Sequence, residues 1–261
     1  MKKIVKVLAV ALCAVMALSL LAACGEKEAA DESETGAEEK GKLIVGITDY
    51  APMNYLDENG AWTGFDTEFA EAFGKIINAD VEFVEIDWDN KWFALESGDI
   101  DCVWNGMTIT EEGKLNADIS EPYAKNNQVL VTAVDKAEEF SDAEKVTGQV
   151  AVEAGSAGAT AAEDAEFEVA EYPVQTDALL AVKSGKAAAC VIDATMASAM
   201  IGEGTDYADL TVALTLTDEE YGVAFKKGSD LTAKFNDALK TLTEDGTLPA
   251  LSEKYNVELA K

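Results

Sequence analysis

The strongest constraint on the fold is a phrase that the chain uses twice. ALESGDIDCVWNG (94–106) and AVKSGKAAACVID (181–193) each read as a helix stopped at Ser-Gly and followed by a short apolar strand. The surroundings of the two copies also match. LIVGI (43–47) reads as a buried strand. A helix opened by Asp66 as N-cap follows, with Phe69, Ala72, Phe73, Ile76 and Ile77 at helical spacing, and then the β-rich VEFVEI (81–86) and a short helix over 90–96. In the second half QVAVEAG (149–155) leads through a Gly/Ser turn into a helix, and FEVAEY is a strand. Strand–helix alternation of this kind predicts parallel sheets with crossover helices. Two related α/β lobes are the simplest account. QVLVTAV (128–134) is expected to cross from the first lobe to the second, and YGVAF (221–225) to cross back. The final helix carries Leu231, Phe235, Leu239 and Leu242 on one face. The first lobe is therefore expected at 43–128 plus 218–261, and the second at 129–217.

Ligands of open α/β sheets bind beyond the carboxyl ends of the strands. Those ends carry Asp49 and Tyr50, Asp87 and Trp88, Trp104 to Thr108, Gly155-Ser156 and Asp193. Two such edges facing each other across a hinge make a cleft.

The first 23 residues, three lysines and then an apolar run from Val7 to Ala23, read as an export signal. A membrane-spanning helix is the competing reading. LAACG (21–25) resembles a bacterial lipobox, which implies cleavage before Cys24, lipidation of Cys24 and attachment to the membrane through acyl chains. Ordinary secretory cleavage is the alternative. Residues 24–42 have no large apolar side chain and are expected to form an acidic disordered tether. Together these features predict a lipid-anchored, extracytoplasmic monomer.

Composition narrows the chemistry. Against 20 basic residues stand 50 acidic ones, a formal charge of −30. Such a surface repels phosphate backbones and excludes nucleic acid as a partner. The chain has no histidine and no arginine, so Ser–His and Cys–His nucleophiles, the commonest zinc ligand and the bidentate carboxylate fork are all missing. Cys102 and Cys190 fall in different lobes and are expected to stay reduced.

With these elements in place the chain resembles the extracellular solute-binding proteins of family 3, which serve polar amino acid ABC transporters. The resemblance rests on DYAPMNYLDENGAWTGFDTEFAEAF (49–73), ALESGDIDCVWNGMTIT, ISEPY (119–123), TDALLAVKSG and EDGTLPALSEKY (244–255), in family order. It implies a two-lobed periplasmic-binding fold of type II, a hinge of two crossing strands, and delivery to an ABC permease. No cofactor, metal or catalytic residue is implied. The resemblance places Asp49 in the cleft and makes Tyr50 and Trp88 the aromatic faces around the ligand side chain. It assigns Gly106, Met107 and Thr108 to the ligand's amine and carboxylate, Gly155, Ser156 and Ala157 to an anion-holding turn, and Asp193 to the α-amino group; the Asn105 amide is a further donor in the same stretch. Asp193 is equally placed to cap the helix that follows. One position departs from the pattern: where the family carries the carboxylate-gripping arginine, this chain has Gly113, beside Lys114. The ligand expected is a small polar amino acid or a derivative with an amine.

Three other readings compete. A cyclohexadienyl dehydratase-like enzyme on the same fold could draw on Glu111, Glu112, Glu153 or Lys114. A ligand sensor would need a partner receptor. A calcium site rests only on DENG (57–60), which a short polar turn explains better.

Overall fold

The computed structural model describes residues 40–261. The signal-like run, Cys24 and the tether up to residue 39 lie outside the described residues. In chain order the elements begin with β1 (Gly41–Ile47), the hairpin β2 (Tyr55–Leu56) and β3 (Trp62–Thr63), α1 (Phe65–Ile76), β4 (Ala79–Glu85), α2 (Lys91–Ser97) and β5 (Cys102–Val103). Then come α3 (Glu111–Asn116), β6 (Asp118–Ile119), β7 (Ala124–Asn126), β8 (Gln128–Ala133), β9 (Gln149–Glu153), α4 (Ala157–Asp164) and β10 (Glu168–Tyr172). The rest comprises α5 (Gln175–Lys183), β11 (Ala189–Asp193), α6 (Ala194–Met200), β12 (Leu210–Thr215), β13 (Glu219–Tyr221), β14 (Ala224–Phe225), α7 (Leu231–Glu244) and α8 (Thr247–Tyr255).

These elements make two lobes, each built on a five-stranded sheet, with strand orders β4-β1-β5-β14-β6 and β10-β9-β11-β8-β12. The three strands around β1 run parallel, as do those around β9, in keeping with the strand–helix alternation of the sequence. Each sheet is completed by antiparallel strands that the alternation did not reveal, β14 and β6 in the first and β8 and β12 in the second. Of these, β14 and β8 run against the parallel strands, and β6 and β12 pair antiparallel with them.

The crossing itself is made by β7 and β13, paired antiparallel and outside both large sheets. This corrects the expectation that QVLVTAV and YGVAF cross, since β8 lies in the second sheet and β14 in the first. The apolar runs mark where each crossing strand enters a core, and the crossing residues Lys125, Asn126, Glu219 and Glu220 are polar. We propose the lobe boundaries at 128/129 and 217/218, at the second-sheet end of this pair.

Two further expectations are corrected. The strand β1 begins at Gly41 rather than Leu43, with Gly41 and Lys42 opposite Ala79 and Asp80. Main-chain pairing needs no apolar side chain there, and Lys42 forms an exposed ion pair with Glu82. Asp66 is not the N-cap of α1, because Gly64 holds that place. A Cβ at Gly64 would stand 2.2 Å from the Met53 carbonyl oxygen, with φ at 126°, so the turn accepts only glycine.

In the first lobe α1 and α7 pack on the sheet through Phe69, Phe73, Trp104 and Phe235. Trp104 meets Phe69 and Phe235 edge-on at centroid distances of 4.9 Å each. Edge-to-face pairs of this kind are worth about 0.5–1.5 kcal/mol beyond area burial. In WNGMTIT, then, the tryptophan is core, and the residues after it emerge at the sheet edge. Cys102 and Cys190 are free, buried thiols on separate sheets, raised by burial above the ordinary thiol range.

Candidate functional site

A cavity of about 440 Å³ lies between the two lobes. Of the residues expected to hold a ligand, Trp88, Asn105, Gly106, Met107, Thr108, Gly155, Ser156, Ala157 and Asp193 line it. Asp49 and Tyr50 do not. Asp49 is exposed at the end of β1, and Tyr50 is only 2 % exposed, packed behind Gly106. A Cβ at Gly106 would lie 2.6 Å from Tyr50 Cε1 and 3.2 Å from Tyr221 Cε2. Tyr50 therefore supports the loop from below instead of offering its face to the cleft.

The WNGMTIT loop is held from behind. Asp66 accepts the Gly106 N–H at 2.6 Å and the Tyr123 hydroxyl at 2.9 Å. Burial raises the Asp66 carboxyl to about 7. Asn105 lines the cavity, but its amide is spent on Thr48, accepting the backbone N–H at 3.0 Å and donating to the carbonyl at 3.0 Å. The Thr108 hydroxyl donates to Glu219 at 2.9 Å. The Asn105 amide thus serves the scaffold, whereas the Thr108 hydroxyl, its proton donated, keeps its lone pairs for a donor in the cavity.

Gly113 is explained by its neighbours. Its N–H caps onto Thr110 at 3.0 Å, and a Cβ there would stand 3.6 Å from the Trp92 ring. Lys114 does not substitute for an arginine in this cavity. It is exposed, pairs with Glu111 at 2.7 Å and lies outside the lining.

The lysine that does line the cavity is Lys91, at the start of α2. Its ammonium sits 4.9 Å from the Trp88 ring centroid and 5.2 Å from that of Trp92, a cation–π geometry. It donates to Trp88 O at 3.2 Å and, across the cleft, to Gly155 O at 2.7 Å. Burial lowers the Lys91 pKa, while Glu112, Glu153 and Asp89 pull it back.

The opposite wall is acidic. Asp193, at the end of β11, accepts from Tyr221 at 2.7 Å, from Gln128 at 3.0 Å and from Gln175 at 2.5 Å, with Asn126 as a further donor. Asp193 stands at the N-cap position of α6 but makes no capping bond, so its carboxylate serves the cleft. Burial, then the charge of Glu219, push it up to about 7 despite those donors. Glu219 itself accepts from Asn126 at 2.6 Å and Gln128 at 2.8 Å. Glu153, at the end of β9, is pushed up to about 8 by burial and by Asp193. Together with Glu112, Asp164 and Asp218, six carboxyl groups line the cavity against one lysine.

Sequence reasoning passed over Lys91, Trp92, Gln128, Gln175 and Glu219, and treated Glu153 only as an acid available to an enzyme. The signals were present. Glu153 closes the strand VAVE just before the Gly-Ser turn, at the carboxyl end where ligands gather. DWDNKW sets two tryptophans four apart around a lysine on one helical turn. Gln128 and Glu219 flank the lobe crossing, a place that no local pattern marks. Asp57 of DENG accepts the Asn59 and Ala61 N–H groups at 2.8 and 2.9 Å, as a polar turn does.

Two α/β lobes, a two-strand crossing and a polar cavity between the sheets define a two-lobed solute-binding architecture. The chain belongs to the bacterial extracellular solute-binding proteins, family 3, whose family model matches residues 43–258. Among its relatives, the arginine-binding extracellular protein ArtP of Bacillus subtilis is 31% identical over 95% of this chain and 96% of that one. A probable histidine-binding protein of Neisseria gonorrhoeae is 30% identical over 93% of this chain and 92% of that protein. An ancestral arginine-binding protein bound to arginine superposes with a TM-score of 0.77 at 34% identity, covering 83% of this chain and 98% of that one. The ancestral amino acid-binding protein AncCDT-1, a precursor of cyclohexadienyl dehydratase, gives 0.75 at 34%, over 82% and 95%. No helix among the described residues is long and apolar enough to cross a membrane.

Proposed function

We propose that the chain is the extracytoplasmic substrate-binding component of an ABC importer, anchored through Cys24, and that it captures an amine-bearing amino acid or derivative between its lobes. The observation that carries this reading is the acidic wall around Asp193 facing the Trp88–Trp92 pair. Carboxylates accept an ammonium group, and aromatic faces attract a cation and cover its apolar stem. The relatives' names, arginine- and histidine-binding, agree with this chemistry. Lys91 is the cation that lines the cavity among the described residues, and with two of its three protons donated to the Trp88 and Gly155 carbonyls it keeps one for a ligand carboxylate. It cannot form the planar two-point fork of an arginine, so the carboxylate contributes less here than in a site built on that fork.

In this reading the site holds its ligand and does no chemistry on it. A thermal-shift screen of the soluble domain against amino acids, their amides and the corresponding decarboxylated amines tests it. Stabilisation by amine-bearing compounds supports the reading, and its absence throughout the screen overturns it. Glu153 favours a second reading, because a carboxyl held protonated in a cavity could act as a general acid. Incubation with prephenate or arogenate decides between them, with no aromatic product expected.

A further inference from the structure

We infer that Glu153 is the selectivity residue of the cleft, receiving a second cationic group of the ligand, so that the substrate class is a diamino or guanidino acid. The inference rests on the amino acid-binding function proposed above and adds to it a residue and a ligand class. Its basis is an accounting of buried polar atoms. Among the described residues, two side-chain atoms of the lining are buried without a hydrogen-bond partner, Gln128 Oε1 and Glu153 Oε1. Gln128 Oε1 is an acceptor, and Glu153 becomes one when it ionises. A ligand that brings donors, one of them cationic, answers both, since each buried group left unpaired costs about 1–3 kcal/mol.

The two residues stand on either side of Asp193. Strand β11 lies between β9 and β8 in the second sheet. Asp193 is the direct partner of Gln128 in the β11–β8 ladder, and Glu153 ends β9, which runs parallel to β11. The register sets Asp193 opposite Gln128 on one side and one residue beyond Glu153 on the other, and all three line the cavity. Asp193 already accepts from four neutral donors, so an ammonium group takes the place of one of them. Glu153 is 3 % exposed, and no salt bridge among the described residues includes it. Lys91, the nearest lysine of the lining, is committed to the carbonyls of Trp88 and Gly155. A ligand with a cation at each end brings one for each acid.

The charged groups acting on Glu153 are Asp193 on β11, Lys91 on α2 and Asp87 just before α2. Burial together with Asp193 keeps the carboxyl protonated up to about pH 8. An arriving cation stabilises the carboxylate instead, so Glu153 gives up its proton to solvent as the ligand seats. Titration calorimetry with L-arginine, L-lysine and L-glutamine, in phosphate and in Tris at pH 7, reads both effects on the wild-type domain and on Glu153→Gln. The wild type is expected to bind arginine or lysine at least about tenfold more tightly than glutamine, with a buffer-dependent heat reporting proton release. Glu153→Gln should bring the affinity ratio close to one and reduce the buffer-dependent heat of arginine and lysine to that seen with glutamine, which reports on Asp193 alone. Equal wild-type affinity for glutamine and the dibasic ligands overturns the inference, as does a variant that keeps both the preference and the proton release. The wild-type data suffice if the variant does not fold. Absence of binding by all three compounds instead removes the proposed function itself, a separate outcome.

Discussion

Tyr221 ties the lobe crossing to the second lobe, donating its hydroxyl proton to Asp193 at 2.7 Å while standing 2.6 Å from the hydroxyl of Tyr50. Because Tyr221 spends its proton on Asp193, Tyr50 is the donor in the second bond. The chain Tyr50–Tyr221–Asp193 runs from the first lobe through β13 to the ligand-facing acid. Hydrogen bonds to a charged group are worth about 1.5–3 kcal/mol. Replacing Tyr221 by Phe should therefore lower stability by about 1–3 kcal/mol, since the buried Tyr50 hydroxyl and Asp193 each lose a partner, and should weaken ligand binding as Asp193 shifts; calorimetry beside a thermal melt separates the two.

Substituting Gly106 should act on the same chain from behind. The residue has φ at 55°, and a Cβ would press on Tyr50 and Tyr221. Gly106→Ala is expected to cost about 1–3 kcal/mol of stability, the usual penalty of overpacking, and to weaken binding as the two phenols shift. A melt that matched the wild type would remove the role assigned to this glycine.

The cleft acids predict how stability responds to pH. Asp193 and Glu153 have ordinary values of 3.8 and 4.5 and are raised to about 7 and about 8 in the folded chain. Between pH 4 and 8 the native state therefore holds more protons than the unfolded state. Stability then falls as pH rises through this window. The ligand-free domain should melt at a higher temperature at pH 5 than at pH 8, and Glu153→Gln should flatten the difference. A steeper slope in the variant would contradict the assignment.

Lys91 and Lys114 should behave differently. Lys91 bridges to Gly155 of the second lobe, whereas Lys114 is exposed and paired within its own helix. Lys91→Met should weaken binding and expand the domain in small-angle scattering, because a contact made only between approached lobes is lost. Lys114→Ala should leave both unchanged.

The thiols offer a check on the lobes. Cys102 and Cys190 are each fully buried in a separate sheet. Denatured, unreduced soluble domain should react with two equivalents of a thiol reagent.

The sequence by itself determined the two-lobed α/β class, because strand and helix periodicity repeat in both halves and a Ser-Gly stop precedes a buried strand each time. It also located most of the cleft. Strand ends are local features, so Trp88, the 105–108 loop, the 155–157 turn and Asp193 could be placed from a rule about parallel sheets. Tertiary structure alone decided which polar groups are free. Asn105 has the right chemistry and position, yet Thr48, distant in sequence, uses up its amide, and Glu219 takes the proton of Thr108. Tyr50 carries the right ring but lies under Gly106. Glu153, Gln128 and Asp193 come from three separate strands, and their alignment along one edge depends on β-ladder register, which no local pattern encodes. Hydrogen-bond satisfaction and burial arise between segments, so the cleft's acidity and its unpaired polar groups became visible only once the sheets were assembled.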